Sequence, residues 1–262
     1  MNDQKKKVTA NIISNQEIAP GIWDMRMETE LALKARAGQF IGVYPGDKSM
    51  LLPRPVSICE TDRERMQLRI VFRVAGKGTE EFASYRERDE IEILGILGNG
   101  FPVREAKGKR VAVLGGGIGI PPMVELAKEL VQSGASVAVI AGYRDDKLFL
   151  NKDLEKYASV YIATEDGSAG TKGNVLTVIE EKNVQADLFM ACGPLPMLRA
   201  VKGCSERTGI PAYISLEERM ACGVGACLGC VCRTKETDPH SHVKNARICT
   251  DGPVFDAADV DI

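Results

Sequence analysis

Cys222, Cys227 and Cys230 stand at C-x4-C-x2-C spacing in the run RMACGVGACLGCVC, and Cys249 follows after a polar stretch. Thiolates are soft metal ligands. Three close ligands on one loop and a distant fourth is the spacing that holds two irons bridged by sulfides, a 2Fe-2S cluster. Gly223, Gly225 and Gly229 interleave these ligands. They leave no side chain between backbone and cluster, so amide N–H groups can point at the sulfurs and spread their charge. A structural zinc site also takes four thiolates, but usually as two C-x2-4-C pairs. Cys232 lies two residues beyond Cys230 and would share its face on an extended segment. The spacing selects Cys230 and leaves Cys232 open as a rival ligand. The first expectation is a one-electron carrier.

A second group of residues suits phosphate. Gly115, Gly117 and Gly119 lie in GGGIGIPP, between a buried strand and a helix. Glycines there permit a tight turn and let amides approach a pyrophosphate at the helix N-terminus. The dinucleotide fingerprint G-x-G-x-x-G is incomplete, because Pro122 replaces its third glycine. Cys192, Gly193 and Pro194 end a later strand of the same unit, and Glu165 to Ser168 end the strand between. All three loops fall on one carboxyl edge, where ligands bind in such sheets. Arg144, at the end of the second strand, is placed to touch the adenosine side and on charge alone could favour a 2′-phosphate. As alternatives, the glycines could serve packing alone, and Glu165 to Ser168 make a good turn.

A third group lies nearer the N-terminus. Arg54 in Arg54-Pro55-Val56-Ser57 can pair with a phosphate in two-pronged fashion, and the Ser57 hydroxyl can bond a ring heteroatom. Gly78 and Thr79 precede a helical segment and could offer amides and a hydroxyl to a second phosphate. Without context, the two prolines around Arg54 read equally as strand-edge breakers.

The elements that must position these groups divide the chain. Residues 8 to about 100 alternate as short strands punctuated by Pro20-Gly21, Pro45-Gly46, Gly76 and Gly78, the pattern of a small antiparallel barrel. From about residue 105, strand and helix alternate, which predicts a parallel sheet wrapped by helices, closed by a last strand in PAYISLEE. The expected organisation is α+β and multidomain: an antiparallel β-barrel over 1–104, an α/β parallel-sheet nucleotide domain over 105–215, and a small cysteine domain over 216–262.

Bulk properties exclude several classes. The chain has 262 residues and a formal net charge of -2, which gives no reason to expect nucleic acid or an acidic membrane surface. The run Lys5-Lys6-Lys7 reads as a solvated tail. No apolar run approaches the ~20 residues that span a bilayer. Disulfides are not expected, and reduced cysteines with a cluster suit a cytoplasmic location. The two histidines, His240 and His242, form a His-x-His pair on a polar connection and are expected to be exposed.

The ordered set RPVS, GKGT, GILGNGF, GGGIGIPP and CGP resembles the ferredoxin–NADP reductase superfamily. The C-terminal EERMACGVGACLGCVC with ICTDGPVF is narrower, and resembles the electron transfer subunit of class 1B dihydroorotate dehydrogenase. The resemblance spans essentially the whole chain. It implies FAD at Arg54, Pro55, Val56, Ser57, Val71, Phe72, Arg73, Gly78 and Thr79. It implies NAD at Gly115, Gly117, Gly119, Cys192, Gly193 and Pro194, and a 2Fe-2S cluster on Cys222, Cys227, Cys230 and Cys249. Flavin handles both electron pairs and single electrons, so FAD belongs between nicotinamide and cluster. The implied partner is an FMN-containing subunit that oxidises dihydroorotate, with two copies of each chain. The chain alone is not expected to oxidise dihydroorotate, since that barrel would need ~250 further residues. Rival readings are a related subunit with another partner, such as a sulfide dehydrogenase or a ferredoxin-dependent transhydrogenase, and a zinc-stabilised binding protein.

Overall fold

The computed structural model describes residues 5–237 and 242–262. Its first sheet is a closed six-stranded barrel of β1 (Lys6–Ala19), β2 (Ile22–Glu28), β3 (Phe40–Tyr44), β4 (Arg54–Asp62), β5 (Gln67–Arg73) and β6 (Glu90–Leu97), in the order β1-β2-β5-β4-β3-β6. Alternation along these strands turns Met25, Met27, Ile58, Leu68, Ile70, Ile91 and Ile93 inward. Helix α1 (Lys77–Ser84) stoppers one side with Phe82, whose ring meets Phe72 edge-on at 6.0 Å between centroids. The lysine run is not a tail. Lys6 pairs with Gly95 to close the barrel, and Lys7 reaches Glu92 at 2.8 Å.

The second sheet has seven strands in the order β10-β9-β8-β7-β11-β12-β15. These are β7 (Arg110–Gly116), β8 (Ser136–Tyr143), β9 (Ser159–Thr164), β10 (Thr171–Lys172), β11 (Leu188–Cys192), β12 (Ala212–Ser215) and β15 (Val254–Asp256). Helices α2 (Pro121–Gln132), α3 (Asn151–Leu154), α4 (Val175–Glu181) and α5 (Leu195–Thr208) connect them. Proline opens α2, and α5 ends on Gly209 at φ 72°, as their sequences predict. All pairs from β10 to β12 are parallel; β15 is antiparallel to β12. The chain winds outward from β7 in both directions, so the switch point lies between β7 and β11.

Strand β15 corrects the expected organisation at the C-terminus. PAYISLEE forms β12, but Val254–Asp256, from beyond Cys249, takes the sheet's edge. An uncovered β12 would present unpaired main-chain groups, which β15 satisfies. A three-residue strand is too short to show alternation. The remaining sheet is small, ordered β14 (Asn245–Arg247), β13 (Val231–Thr234), β16 (Val260–Asp261).

Buried charge fastens the barrel to the second sheet. The Thr61 amide and hydroxyl donate to Glu125 of α2 at 2.8 and 2.7 Å, and Lys128 donates to the Thr61 carbonyl at 2.6 Å. Arg69 of the barrel forks onto Asp24 at 2.9 and 2.8 Å, and reaches Glu60 and Asp153 of α3 at 3.1 Å each. Replacing one partner of such a network strands the others in low dielectric. Arg69→Met is therefore expected to cost about 3–5 kcal/mol in urea unfolding. A loss below about 1 kcal/mol, the worth of an exposed pair, would contradict this account.

Candidate functional site

The residues expected around FAD flank a split in the barrel. Strands β4 and β5 pair from Asp62↔Gln67 up to Ile58↔Ile70 and then part. Beyond that point Arg54 to Ser57 pair only with β3, and Val71 to Arg73 only with β2. Each stretch therefore keeps one row of main-chain donors and acceptors facing the gap, suited to the polar edge of a flat ring system. Phe72 and Val71 are buried in cores, so their contribution to the gap is backbone.

Arg54 and α1 close one end of the split. A Cβ on Gly78 would stand 2.8 Å from Arg54 Nε, so the guanidinium lies directly on the helix's first turn. Charge and free amides gather there, as a phosphate requires. Thr79 also organises the turn itself. Its hydroxyl donates to the Gly76 carbonyl at 2.9 Å and accepts from the Ala75 and Gly76 amides.

The nucleotide loops meet at the switch point. Gly115 stands opposite Cys192 in the β7–β11 register. A Cβ on Gly119 would lie 2.4 Å from the Cys192 carbonyl oxygen, so the two loops touch backbone to backbone. Gly193 packs on Met197, and Pro194 leads into α5. A cleft of about 490 Å³ runs from here along the sheet edge, walled by Arg73, Gly116, Gly117, Arg144, Glu165, Pro194 and, from the barrel, Pro20 and Ile22. It joins the barrel split through Arg73, whose Nη2 would lie 3.6 Å from a Cβ on Gly117.

Glu217 belongs to this place and no motif announced it. Burial raises its carboxyl above the ordinary range, against the pull of the Arg73 guanidinium. Burial, with the Glu217 charge, holds the Cys192 thiol up to about 12 despite a hydrogen bond with Ser215. Cys192 is therefore a neutral, positioned thiol at physiological pH. Glu217 follows β12 at the same carboxyl edge as the other loops, and that position was the available signal.

The four cysteines stand as two pairs, Cys222 with Cys227 and Cys230 with Cys249; among the described residues no three of them close on a single point. The amides of Val224 and Cys227 reach the Cys222 sulfur at 3.4 Å. Burial opposes ionisation of Cys222, but these amides and the Cys227 thiol bring its pKa down to about 6. Cys249 is held up to about 12 by burial and by the adjacent Cys230 thiol. Two thiols at each of two positions fit two irons better than one zinc ion, which would draw all four to a single point. Gly225 leaves room for this: a Cβ there would strike Thr250 at 2.7 Å, and its φ is 86°. Cys232 faces elsewhere. It sits across from Ala246 in β13–β14 and lines a cavity with Leu195, Leu198 and Glu218, which Gly193 and Glu217 also border. His242 is exposed; His240, the other half of the His-x-His pair, lies outside the described residues.

A flavin barrel, a nicotinamide-binding sheet and a thiolate loop in one chain define a flavin-linked nicotinamide reductase with an appended iron–sulfur domain. The comparisons agree. Residues 217–261 match the iron–sulfur cluster binding domain of dihydroorotate dehydrogenase B, and residues 113–203 match the oxidoreductase NAD-binding domain. The chain is 41% identical over 259 residues to the dihydroorotate dehydrogenase B (NAD(+)) electron transfer subunit of Bacillus velezensis, covering 97% of this chain and 99% of that one. It is 40% identical to that of Bacillus cereus strain G9842, covering 95% and 96%. A chain from the NADH-dependent reduced ferredoxin-NADP oxidoreductase structure superposes with a TM-score of 0.86 at 25% identity, over 100% of this chain and 91% of its own. A ferredoxin NADP+ reductase from Neisseria gonorrhoeae shares the fold at TM-score 0.65 and 20% identity, over 82% and 95%. This chain belongs to the family of dihydroorotate dehydrogenase B electron transfer subunits.

The contact between Gly119 and Cys192 tests the cleft directly. Gly119→Ala forces the two loops apart by on the order of 1 Å, a displacement that costs about a hundredfold where reacting groups must align. NADH should then bleach the flavin on the order of a hundredfold more slowly in stopped flow, with FAD content unchanged. An undiminished rate would show that the contact does not position the nucleotide.

Proposed function

We propose that this chain carries electrons from an FMN-containing subunit that oxidises dihydroorotate, through its 2Fe-2S cluster and FAD, to NAD. It is an electron transfer subunit of the dihydroorotate dehydrogenase B type, acting in pyrimidine biosynthesis, and uses FAD, the cluster and NAD as its redox groups. Bound FAD supplies the conversion between paired and single electrons that neither of the other groups performs alone. A heterotetramer with two copies of each chain, in a reducing cytoplasm, is the assembly and location this reading carries with it.

The observation that carries the reading is the meeting of three elements on one side of the barrel. The cluster loop rests on β6, where a Cβ on Gly223 would lie 3.2 Å from Leu97. Arg73, which ends the β5 side of the split between β4 and β5, also walls the nucleotide cleft beside Gly116 and Gly117.

The chain's own residues bind and orient. Arg54 and the first amides of α1 neutralise one phosphate group, and the open main-chain edges of Arg54 to Ser57 and Val71 to Arg73 hold the ring. Gly115, Gly117, Gly119, Gly193 and Pro194 shape the nucleotide seat. Cys192 and Glu217 flank the point where nicotinamide and flavin must face each other. Cys222, Cys227, Cys230 and Cys249 take the irons. Residues 1–104, 105–215 and 216–262 serve as flavin, nucleotide and cluster units, with β15 returned to the nucleotide sheet.

Two measurements test this. Dihydroorotate added to the purified chain should leave its flavin oxidised, whereas addition of a co-purified FMN subunit should give dihydroorotate-driven NAD reduction; bleaching by the chain alone would reject the division of labour. Separately, Cys222→Ser should abolish the electron paramagnetic resonance signal of the reduced cluster, and Cys232→Ser should preserve it. The opposite pattern would move the ligand assignment.

A further inference from the structure

Asn99 and Gly100 form the only Asn-Gly pair in the sequence. They stand in the turn that leaves β6 and meets the cluster loop. The Asn99 side-chain amide donates to the carbonyls of Thr250 and Asp251 at 3.0 and 3.1 Å, and its main-chain amide donates to that of Gly252 at 2.6 Å. These three carbonyls directly follow Cys249. Asn99 itself is exposed, so water reaches its side chain.

Such a pair is chemically labile. A main-chain nitrogen can attack the side-chain carbon of the asparagine before it. Attack is fastest when that nitrogen belongs to glycine, which has no Cβ to obstruct it. The Gly100 amide has no hydrogen-bond partner among the described residues, so the nucleophile is free. The fold does not admit a less reactive neighbour: a Cβ on Gly100 would stand 2.4 Å from the Ala37 carbonyl oxygen. The restraint lies at the other end of the side chain. Nδ2 is the atom that must leave, and two acceptors on the cluster loop hold it.

We propose that Asn99 is a one-way latch on the cluster loop, deamidated once the cluster is lost and unable afterwards to secure its return. This rests on the cluster reading above and adds a modification site to it. Metal binding and local folding are coupled, so a loop without its irons releases the carbonyls of Thr250 and Asp251 more often. The Gly100 nitrogen then bonds to Asn99 Cγ and gives up its proton, while the Cγ–Nδ2 bond breaks and ammonia leaves. Water opens the resulting succinimide at either carbonyl, giving aspartate or isoaspartate; no electrons are exchanged. Either product carries a carboxylate and no side-chain donor. Facing two carbonyl oxygens, it has only acceptors to offer, and the turn after Cys249 loses its tie to the barrel.

The test follows the full, FAD-loaded chain at mildly alkaline pH, with its cluster in place and after a chelator has removed the iron. Peptide mapping by mass spectrometry reads the exchange of –NH2 for –OH at residue 99. Rebuilding with ferrous iron, sulfide and a thiol reductant reads the cluster by absorbance and electron paramagnetic resonance. Deamidation should run about tenfold or more faster in the stripped chain, the factor set by two hydrogen bonds that no longer oppose it. Recovery of the cluster signal should fall in step with conversion, at constant FAD content. Asn99→Asp, made directly, should lose its cluster about tenfold faster than wild type. The wild-type time course carries the test even if that variant fails to fold. Equal rates in loaded and stripped chains, or full rebuilding by the converted chain, overturns the latch and leaves the cluster assignment in place. A wild-type chain with neither acid-labile sulfide nor a cluster signal removes both together.

Discussion

Asn99 ties the flavin barrel to the cluster loop, and the rest of the arrangement depends on that tie. Its amide donates to the Gly252 carbonyl at 2.6 Å. Its side chain donates to the carbonyls of Thr250 and Asp251 at 3.0 and 3.1 Å. Those carbonyls directly follow Cys249. The fourth thiol is thus held from a turn at the end of β6, not only from its own loop. Arg247 clasps Asp251 at 3.0 Å from within the loop, and the Ile248 amide binds the Cys230 carbonyl at 2.8 Å. Electron transfer falls steeply with distance, and these hydrogen bonds hold the cluster loop at a fixed place on the barrel.

The opposite face of the barrel is fixed by a different force. There Arg69 and Glu125 gather buried charges from both sheets. A hydrophobic seam would tolerate sliding, because apolar contact is not directional. Hydrogen-bonded charge is directional, and it fixes the angle between barrel and sheet. The flavin split and the nucleotide cleft sit between these two fastenings. Their mutual position therefore does not depend on either ligand being present to create it.

Much of this was legible in the sequence, for a physical reason. The cysteine spacing, the glycine turn and the alternation of β1 to β6 are local patterns, and local patterns survive reading along a line. What was missed is nonlocal. The parting of β4 and β5 follows from register across two strands. Strand β15 is three residues long and pairs with a partner some forty positions earlier. Glu217 gains its meaning only from Cys192 and Arg73, which arrive from other elements. Lys6 and Lys7 read as a tail because their partners on β6 lie more than eighty positions away. Thr79 shows the converse: the motif was visible, but the local hydrogen bonds of its hydroxyl to the Gly76 turn were not.

Cys222 and Cys249 have opposite characters, and this follows from where each is anchored. Cys222 lies on the outer glycine loop, where the main-chain amides of Val224 and Cys227 stabilise its thiolate. Cys249 lies in the buried base with Ile248 and Leu216, where burial favours the neutral thiol. Metal binding must deprotonate both. Cys222 is already inclined to that state at neutral pH, whereas Cys249 reaches it only against the cost of its apolar surroundings. Anchoring Cys249 through Asn99 and Arg247 gives the more expensive ionisation the more rigid frame. The electrostatic demands of the cluster and the mechanical demands of the joint are thereby met by the same few residues.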